Sequence, residues 1–230
     1  MSTIAVLALQ GAFAEHTAML HKLGAETFEV RQLRDLHHPM DALIIPGGES
    51  TVIAKLLRDL GLFDPLSSML HDGLPVMGTC AGLILLAKTV VNSSEDPNTI
   101  TSSVALSANA TTNRALSTSV LPAPTPVGFA TMDIVARRNA YGRQLGSFAA
   151  TADFAGLGPI PMTFIRAPYI ESAGPSVHIL AHTGGHIVAA RQAHQLVTSF
   201  HPELTDDTTV HTYFLDMVAM TNRGQCLTRQ

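Results

Sequence analysis

The chain has 230 residues, of which 46% are hydrophobic and 14% are charged, and its formal net charge is -4. This length suits one α/β domain or at most two, with enough apolar residues for a sizeable core. Because the 14 Lys and Arg residues form no run, nothing in the composition indicates nucleic acid or a membrane surface as a partner. The two cysteines, Cys80 and Cys226, favour a reducing compartment over a disulfide framework, so we expect a cytoplasmic protein.

Apolar runs alternate with amphipathic segments along the first third of the chain. Ile53, Leu56, Leu57 and Leu60 have the spacing i, i+3, i+4 and i+7, which predicts an amphipathic helix. Further helices are predicted around residues 14–23 and 62–70, and strands at residues 4–9, 27–30, 42–45 and 75–77. This alternation predicts an α/β fold with a mostly parallel sheet flanked by helices on both faces.

A low-complexity segment at residues 92–127 interrupts this pattern. It holds 7 Ser and 6 Thr but only three charged residues, and we interpret it as a flexible surface insertion. The predicted elements beyond it are strands at residues 132–135, 162–166 and 196–200, a hairpin of 177–181 with 187–191, and a closing helix at about 207–220.

Three histidines in the predicted hairpin raise the question of a metal site. His178, His182 and His186 are spaced by four, which would suit metal ligands on a helix. Gly184-Gly185 would interrupt a helix there, and no Cys or carboxylate cluster joins the three. We therefore interpret them as hairpin residues and predict no metal site.

Residues 75–88, PVMGTCAGLILLAK, have the features of a nucleophile elbow around Cys80. Gly78 and Gly82 permit the sharp turn, and the helix N-terminus that follows favours a thiolate. The N–H of Ala81 would then be placed to help hold an oxyanion. The alternative is a structural cysteine beside a glycine turn, and the elbow by itself does not decide between the two.

A base and its orienting acid are predicted near the C-terminus. His201 follows an apolar strand and precedes Glu203 by two residues, so in an extended segment both side chains would point the same way. Together with the Cys80 elbow, this pair would complete a nucleophile, a base and an acid. The Pro46-Gly47-Gly48-Glu49 loop and Gln10 follow other predicted strands and are expected at the same sheet edge.

The motifs GTCAGLILLA, PGGEST and FHPEL together resemble the class I (triad-type) glutamine amidotransferases, which implies a flavodoxin-like α/β fold. More narrowly, six motifs in order resemble the glutaminase subunits of pyridoxal 5′-phosphate synthase: LALQGAFAEH, PGGEST, GTCAGLILLA, RRNAYGRQ, FIRAP and SFHPEL. The match spans nearly the whole chain, which we expect to form a single glutaminase domain over residues 1–230. The segment 92–127 departs from the family by its length and low complexity.

The resemblance implies that L-glutamine is hydrolysed to L-glutamate and ammonia, with no cofactor. Cys80 would attack the side-chain amide and form a thioester, His201 would move the protons, and Glu203 would orient His201. The backbone N–H groups of Gly48 and Ala81 would form the oxyanion hole. The positions that match the family's glutamine-binding residues are Gly47, Gly48, Glu49, Arg138, Ile165 and Arg166. Which arginine would hold the substrate carboxylate is left open.

The resemblance also implies a partner, a synthase subunit that uses the ammonia to build pyridoxal 5′-phosphate from a pentose phosphate and a triose phosphate. Low activity is expected without this partner, because the partner would complete the oxyanion hole. The flexible Gly47-Gly48 segment would permit the peptide flip that this completion needs. Gln10 is a candidate for the site or the partner interface. Two other functions remain open: a γ-glutamyl hydrolase or peptidase on the same architecture, and a catalytically silent regulatory subunit.

Overall fold

The computed structural model describes residues 2–92, 128–138 and 146–227, without the side chains of 224–227. The helices in these ranges are α1 (Phe13–Lys22), α2 (Ser50–Asp59), α3 (Phe63–His71), α4 (Ala81–Leu86) and α5 (Thr209–Leu227). Single 3₁₀ segments lie at Leu33–His37 and Pro202–Leu204. The strands are β1 (Thr3–Leu7), β2 (Glu26–Val30), β3 (Ala42–Ile45), β4 (Val76–Thr79), β5 (Ala87–Val91), β6 (Met132–Arg137), β7 (Ser147–Asp153), β8 (Pro159–Ile165), β9 (Tyr169–Ala173), β10 (His178–Thr183), β11 (His186–Gln192) and β12 (Gln195–Thr198).

The central sheet has the strand order β2-β1-β3-β4-β12-β11-β9-β6-β5, with β10 paired to β11 outside this path. All pairs from β2 to β12 are parallel, and so is β5 with β6. The pairs β12-β11, β11-β9 and β9-β6 are antiparallel, and β7 and β8 form a separate hairpin. The predicted α/β fold with a mostly parallel sheet is therefore confirmed.

Helices cover both faces of the parallel part of the sheet, as predicted. Ile4 and Val6 of β1 point to the face that packs against Leu20 of α1 and Phe214 of α5. Ala5 and Leu7, the intervening residues of the same strand, belong to the second core, together with residues from α2, α3 and α4. This alternation places a continuous apolar layer on each face, so the parallel strands are buried on both sides.

Several predicted elements differ from the structure in detail. Leu60 is 40% exposed and lies beyond α2, whose buried residues are Ser50, Ile53, Ala54 and Leu57. The helix after the elbow ends at Leu86 and runs directly into β5. The strands β5, β7 and β9 have no counterpart among the predicted strands. The predicted hairpin is confirmed as β10 and β11, which carry the three histidines.

Two features noted in the sequence lie largely outside the described residues. Apart from Asn92, the predicted insertion at residues 92–127 is not described, and neither are residues 139–144 of the RRNAYGRQ motif. The closing helix extends to Leu227, further than predicted.

Across the described ranges, no helix is both long enough and apolar enough to cross a membrane.

The carboxyl ends of four neighbouring strands define one edge of the sheet. Gln10 follows β1, Gly47 to Glu49 follow β3, Cys80 follows β4, and His201 follows β12. Because these strands are parallel and adjacent, their C-terminal loops converge at this edge. Four separate parts of the chain therefore meet there.

Candidate active site

The turn that carries Cys80 connects β4 to α4 with an unusual backbone. Cys80 has φ 48° and ψ -96°, a conformation that costs a non-glycine residue about 1–3 kcal/mol. Its N–H donates a hydrogen bond of 2.8 Å to the carbonyl oxygen of Thr198 in β12. A Cβ at Gly78 would lie 2.7 Å from the carbonyl carbon of Gly82, and one at Gly82 would overlap the carbonyl oxygen of Ile45. The predicted need for both glycines is thus explained by close backbone contacts.

Cys80 lies directly before α4 and is nearly buried. Cys80 is 6% exposed, and its Sγ is 3.9 Å from the carbonyl oxygen of Ile165. Ala81, the next residue, begins α4 and is 1% exposed. Its backbone N–H therefore belongs to the first turn of the helix beside the thiol.

His201 and Glu203 form a buried pair opposite the elbow. His201 Nδ1 lies 2.7 Å from Glu203 Oε1, and each residue is 6% exposed. The sequence suggested an extended segment here. That prediction is wrong, because Pro202 begins the 3₁₀ turn Pro202–Leu204. Proline suits the first position of such a turn, since its φ is already restricted and its missing N–H is not needed there. The turn, rather than strand alternation, brings the carboxylate to the imidazole.

Electrostatic interactions favour an imidazolium at His201. Burial lowers the pKa of His201, but the hydrogen bonds with Cys80 and Glu203 outweigh burial and raise it to about 10. Burial raises the pKa of Glu203, but the neighbouring His16 and the hydrogen bond with His201 hold it below its usual value. These shifts favour an ionised Glu203 beside a His201 ring that holds its proton at neutral pH.

A cavity of about 190 Å³ opens above these groups. Its lining combines residues from the four converging loops with residues around β6 and β8: Gln10, Gly48, Glu49, Ser50, Cys80, Ile84, Arg138, Ile165, Arg166 and His201. All of these except Ser50 and Ile84 are candidate residues from the sequence. Three other candidates do not line the cavity: Gly47 packs against the His201 ring, Glu203 lies behind that ring, and Ala81 is buried.

The charged residues of the cavity lie at its outer part. Arg138 Nη2 is 3.4 Å from Glu49 Oε1, and the Arg138 backbone is fixed by a hydrogen bond from its N–H to Val91 O (2.9 Å). The N–H of Glu49 donates to Gln10 Oε1 at 2.8 Å, which orders the loop after β3. Arg166 is exposed at the rim and has φ 43°. A cavity with one carboxylate and two guanidinium groups suits a small zwitterion.

Four residues near the site were not singled out from the sequence. Ser50 is 2% exposed and lines the cavity, and its Oγ has no hydrogen-bond partner within the described part of the chain. Ile84 adds an apolar wall. His16 and His211 are fully buried behind Glu203. Both histidines lie on the apolar stripe of a helix, three residues before Met19 and Phe214 respectively, and a polar residue in that position is a signal the sequence does contain.

Comparison with known proteins identifies the family of this chain. The model of the SNO glutamine amidotransferase family matches residues 6–120 and 123–220. The chain belongs to the SNO glutamine amidotransferase family. The resemblance expected from the six motifs is thereby confirmed.

Individual members of this family are similar over almost their whole length. The chain is 55% identical over 219 residues to pyridoxal 5′-phosphate synthase subunit PdxT of Methanocorpusculum labreanum, covering 95% of this chain and 99% of that protein. It is 48% identical over 217 residues to the protein of the same name from Haemophilus influenzae, covering 93% and 97% respectively. A crystal structure of a glutamine amidotransferase is 37% identical, with a TM-score of 0.75, and covers 94% of this chain and 98% of that one.

Proposed function

We propose that this SNO-family chain is the glutaminase subunit of a pyridoxal 5′-phosphate synthase and hydrolyses L-glutamine to L-glutamate and ammonia. The observation that carries the proposal is the cavity lined by both Cys80 and His201, with Glu203 bonded to the His201 ring from behind. The 55% identity to a pyridoxal 5′-phosphate synthase subunit supports the same assignment. We further propose that residues 1–230 act as one glutaminase domain.

In the proposed reaction, the thiolate of Cys80 attacks the side-chain amide carbon of glutamine and forms a tetrahedral oxyanion. The imidazolium of His201 gives its proton to the departing ammonia, which leaves a thioester on Cys80. His201 then accepts a proton from water, and the resulting hydroxide attacks the thioester and releases glutamate. Glu203 keeps the imidazole in the tautomer whose free nitrogen faces Cys80.

The remaining candidate residues would bind the substrate and its transition state. The N–H groups of Gly48 and Ala81 are proposed to form the oxyanion hole, which requires donors directed at the developing charge. Arg138 is proposed to bind the α-carboxylate and Glu49 the α-ammonium group, because the two lie 3.4 Å apart and carry opposite charges. Gly47, Ile165 and Arg166 complete the proposed glutamine-binding set.

The ammonia is proposed to pass to a separate synthase subunit. We expect low turnover for the isolated chain, because the oxyanion hole is proposed to form fully only with the partner. Gly48 has φ +154°, a backbone region that favours glycine, and a glycine can change its peptide orientation at little conformational cost. Gln10, bonded to the neighbouring N–H of Glu49, is placed to influence this loop. Because the thiol of Cys80 must stay reduced, we propose a cytoplasmic location.

The test is glutamate release from glutamine by the purified chain, with and without the synthase subunit, beside Cys80→Ala. We expect turnover that rises with the partner and is lost in Cys80→Ala. Hydrolysis of γ-glutamyl peptides but not of glutamine would instead identify a γ-glutamyl hydrolase or peptidase. Intact binding to the synthase subunit without any turnover would identify a catalytically silent regulatory subunit.

A further inference from the structure

The orienting carboxylate of the site is itself held by a buried histidine pair that the proposed reaction does not use. His16 comes from α1 and His211 from α5, the two helices that pack on the same face of the sheet. Both residues are 0% exposed. They continue the line of side chains that begins at Cys80 and passes through His201 and Glu203.

Only one oxygen of the Glu203 carboxylate is used by His201. Oε1 accepts the hydrogen bond from His201 Nδ1, whereas Oε2 is buried and has no well-aligned hydrogen bond from any described residue. His16 Nε2 lies 3.4 Å from Oε2, and Thr79 Oγ1 lies 3.3 Å from the same nitrogen. An unpaired buried carboxylate oxygen is costly, so a donor at this distance is a meaningful partner. Hydrogen bonds in active sites without substrate are often longer than in the working complex.

If His16 donates to Glu203, the contacts fix the other protons of the pair. A proton on His16 Nε2 is required for it to donate towards Glu203, which leaves His16 Nδ1 as an acceptor. His211 Nε2 lies 3.0 Å from His16 Nδ1 and therefore carries the proton that it donates. His211 Nδ1 is then unprotonated, which agrees with its having no acceptor within the described residues. The second histidine thus selects the tautomer of the first.

The charges around His16 favour a neutral donor. Burial lowers the pKa of His16 most strongly, His201 lowers it further, and the carboxylates of Glu203 and Glu15 act in the opposite direction without overcoming burial. Burial and the neighbouring His16 lower the pKa of His211 to about 3. Two neutral imidazoles can direct the carboxylate without adding a second positive charge. The single imidazolium of the cluster therefore remains at His201.

We propose that His16, with His211 behind it, is a positioning residue that fixes the Glu203 carboxylate and, through it, the His201 ring. The proposal rests on the glutaminase function given above. It concerns the geometry of the base and not substrate binding, because neither His16 nor His211 lines the cavity. Loss of the pair lowers kcat for glutamine and leaves KM unchanged.

The first experiment compares His16→Leu with His16→Gln in the complex with the synthase subunit. Leucine fills the space without a donor, whereas the glutamine amide offers an N–H near the position of Nε2. We expect His16→Leu to lower kcat by about 10–100-fold, the range typical of groups that orient a functional side chain from behind. His16→Gln is expected to recover most of this loss. Equal losses in both variants, or an unchanged kcat in His16→Leu, would overturn the proposal.

A second comparison tests whether His211 acts through His16. His211→Phe alone is expected to lower kcat, but in the His16→Leu background it should add no further loss, because the two act as one unit. Additive losses would contradict the proposal that His211 acts through His16. Should His16→Leu fail to fold, the single His211→Phe variant decides, since its kcat must fall without a change in KM. His194→Leu, a half-buried histidine before β12 at the opposite sheet edge, is the matched control.

Alkylation of Cys80 by iodoacetamide separates this proposal from the glutaminase assignment. The rate reports the reactive thiolate, which depends on the His201 imidazolium, and the assay needs no glutamine. We expect slower alkylation in His16→Leu than in wild type or His16→Gln. This pattern without glutamine turnover in wild type would reject the glutaminase function alone. An alkylation rate that is the same in all three would reject the positioning role.

Discussion

His201 Nδ1 lies 2.7 Å from Glu203 Oε1 in a buried 3₁₀ turn, although only Pro202 separates the two residues in the chain. Because the carboxylate helps to raise the pKa of His201, its removal disfavours the imidazolium. We predict that Glu203→Gln lowers kcat by about 10²–10⁴-fold, as in other triads whose acid becomes an amide. The measurement is glutamine turnover by the synthase complex.

The control for this variant is Glu171→Gln. Glu171 forms an exposed ion pair with Arg137 (2.9 Å) on the antiparallel part of the sheet, and its loss should leave kcat unchanged. A Glu203→Gln variant with the kcat of the control would mean that the carboxylate does not orient the base.

The close contact between Gly47 and His201 gives a second prediction. A Cβ at Gly47 would lie 3.0 Å from Nδ1 of His201 and would overlap the ring carbon between the two nitrogens. Gly47→Ala should therefore displace the imidazole and lower kcat while the chain stays folded. Gly61→Ala is the control: nothing lies within 4 Å of its Cβ, but its φ of +67° makes alanine strained. It should cost about 1 kcal/mol of stability without affecting kcat, as expected for alanine in this backbone region.

Arg138 and its neighbour Arg137 allow a matched test of substrate binding. Arg138 approaches Glu49 in the cavity, whereas Arg137 pairs with Glu171 outside it. We predict that Arg138→Gln raises KM for glutamine by about 10–100-fold, equivalent to one charge-assisted hydrogen bond, and leaves kcat nearly unchanged. Arg137→Gln should leave KM unchanged. An increase in KM for Arg166→Gln but not for Arg138→Gln would assign the α-carboxylate to Arg166 instead.

The buried histidines predict a loss of stability in mild acid. The pKa of His211 is about 3 in the folded chain and near 6.5 when unfolded, so between these values the unfolded state binds more protons. This contribution to stability is therefore fully present above pH 6.5 and falls as the pH decreases, by about 1.4 kcal/mol per pH unit for each such histidine. His16 acts in the same direction. The raised pKa of His201 adds little slope below pH 6, because both states are then mostly protonated, and it acts in the opposite direction at higher pH.

Urea unfolding at pH 5.0, 5.5 and 6.0 measures this slope. We expect His211→Phe to reduce the slope by about one proton, because the buried imidazole is gone. His178→Gln, at an exposed position on β10, should retain the wild-type slope. The same slope in His211→Phe and wild type would show that other groups cause the acid sensitivity.

Local patterns in the sequence are sufficient for much of the fold and for the core of the site. The strands β1, β3 and β4 are continuous apolar runs because they are buried on both faces, and α2 has a clear amphipathic repeat. By contrast, β7 alternates between exposed and half-buried residues, and β9 has one buried residue, Ile170. Such weakly apolar strands are defined by their partners across the sheet, so their own residues do not identify them.

The sequence by itself determined the glycine-flanked Cys80 turn, the His201-Pro202-Glu203 segment and the parallel strands that precede them, because these depend on neighbours within a few residues. The tertiary structure alone decided the contacts between distant segments. Arg138 reaches Glu49 across 89 positions, and His211 reaches His16 across 195. Both contacts depend on how β6 lies in the sheet and how α1 and α5 pack on one face. That arrangement is set by burial of apolar surface from the whole chain.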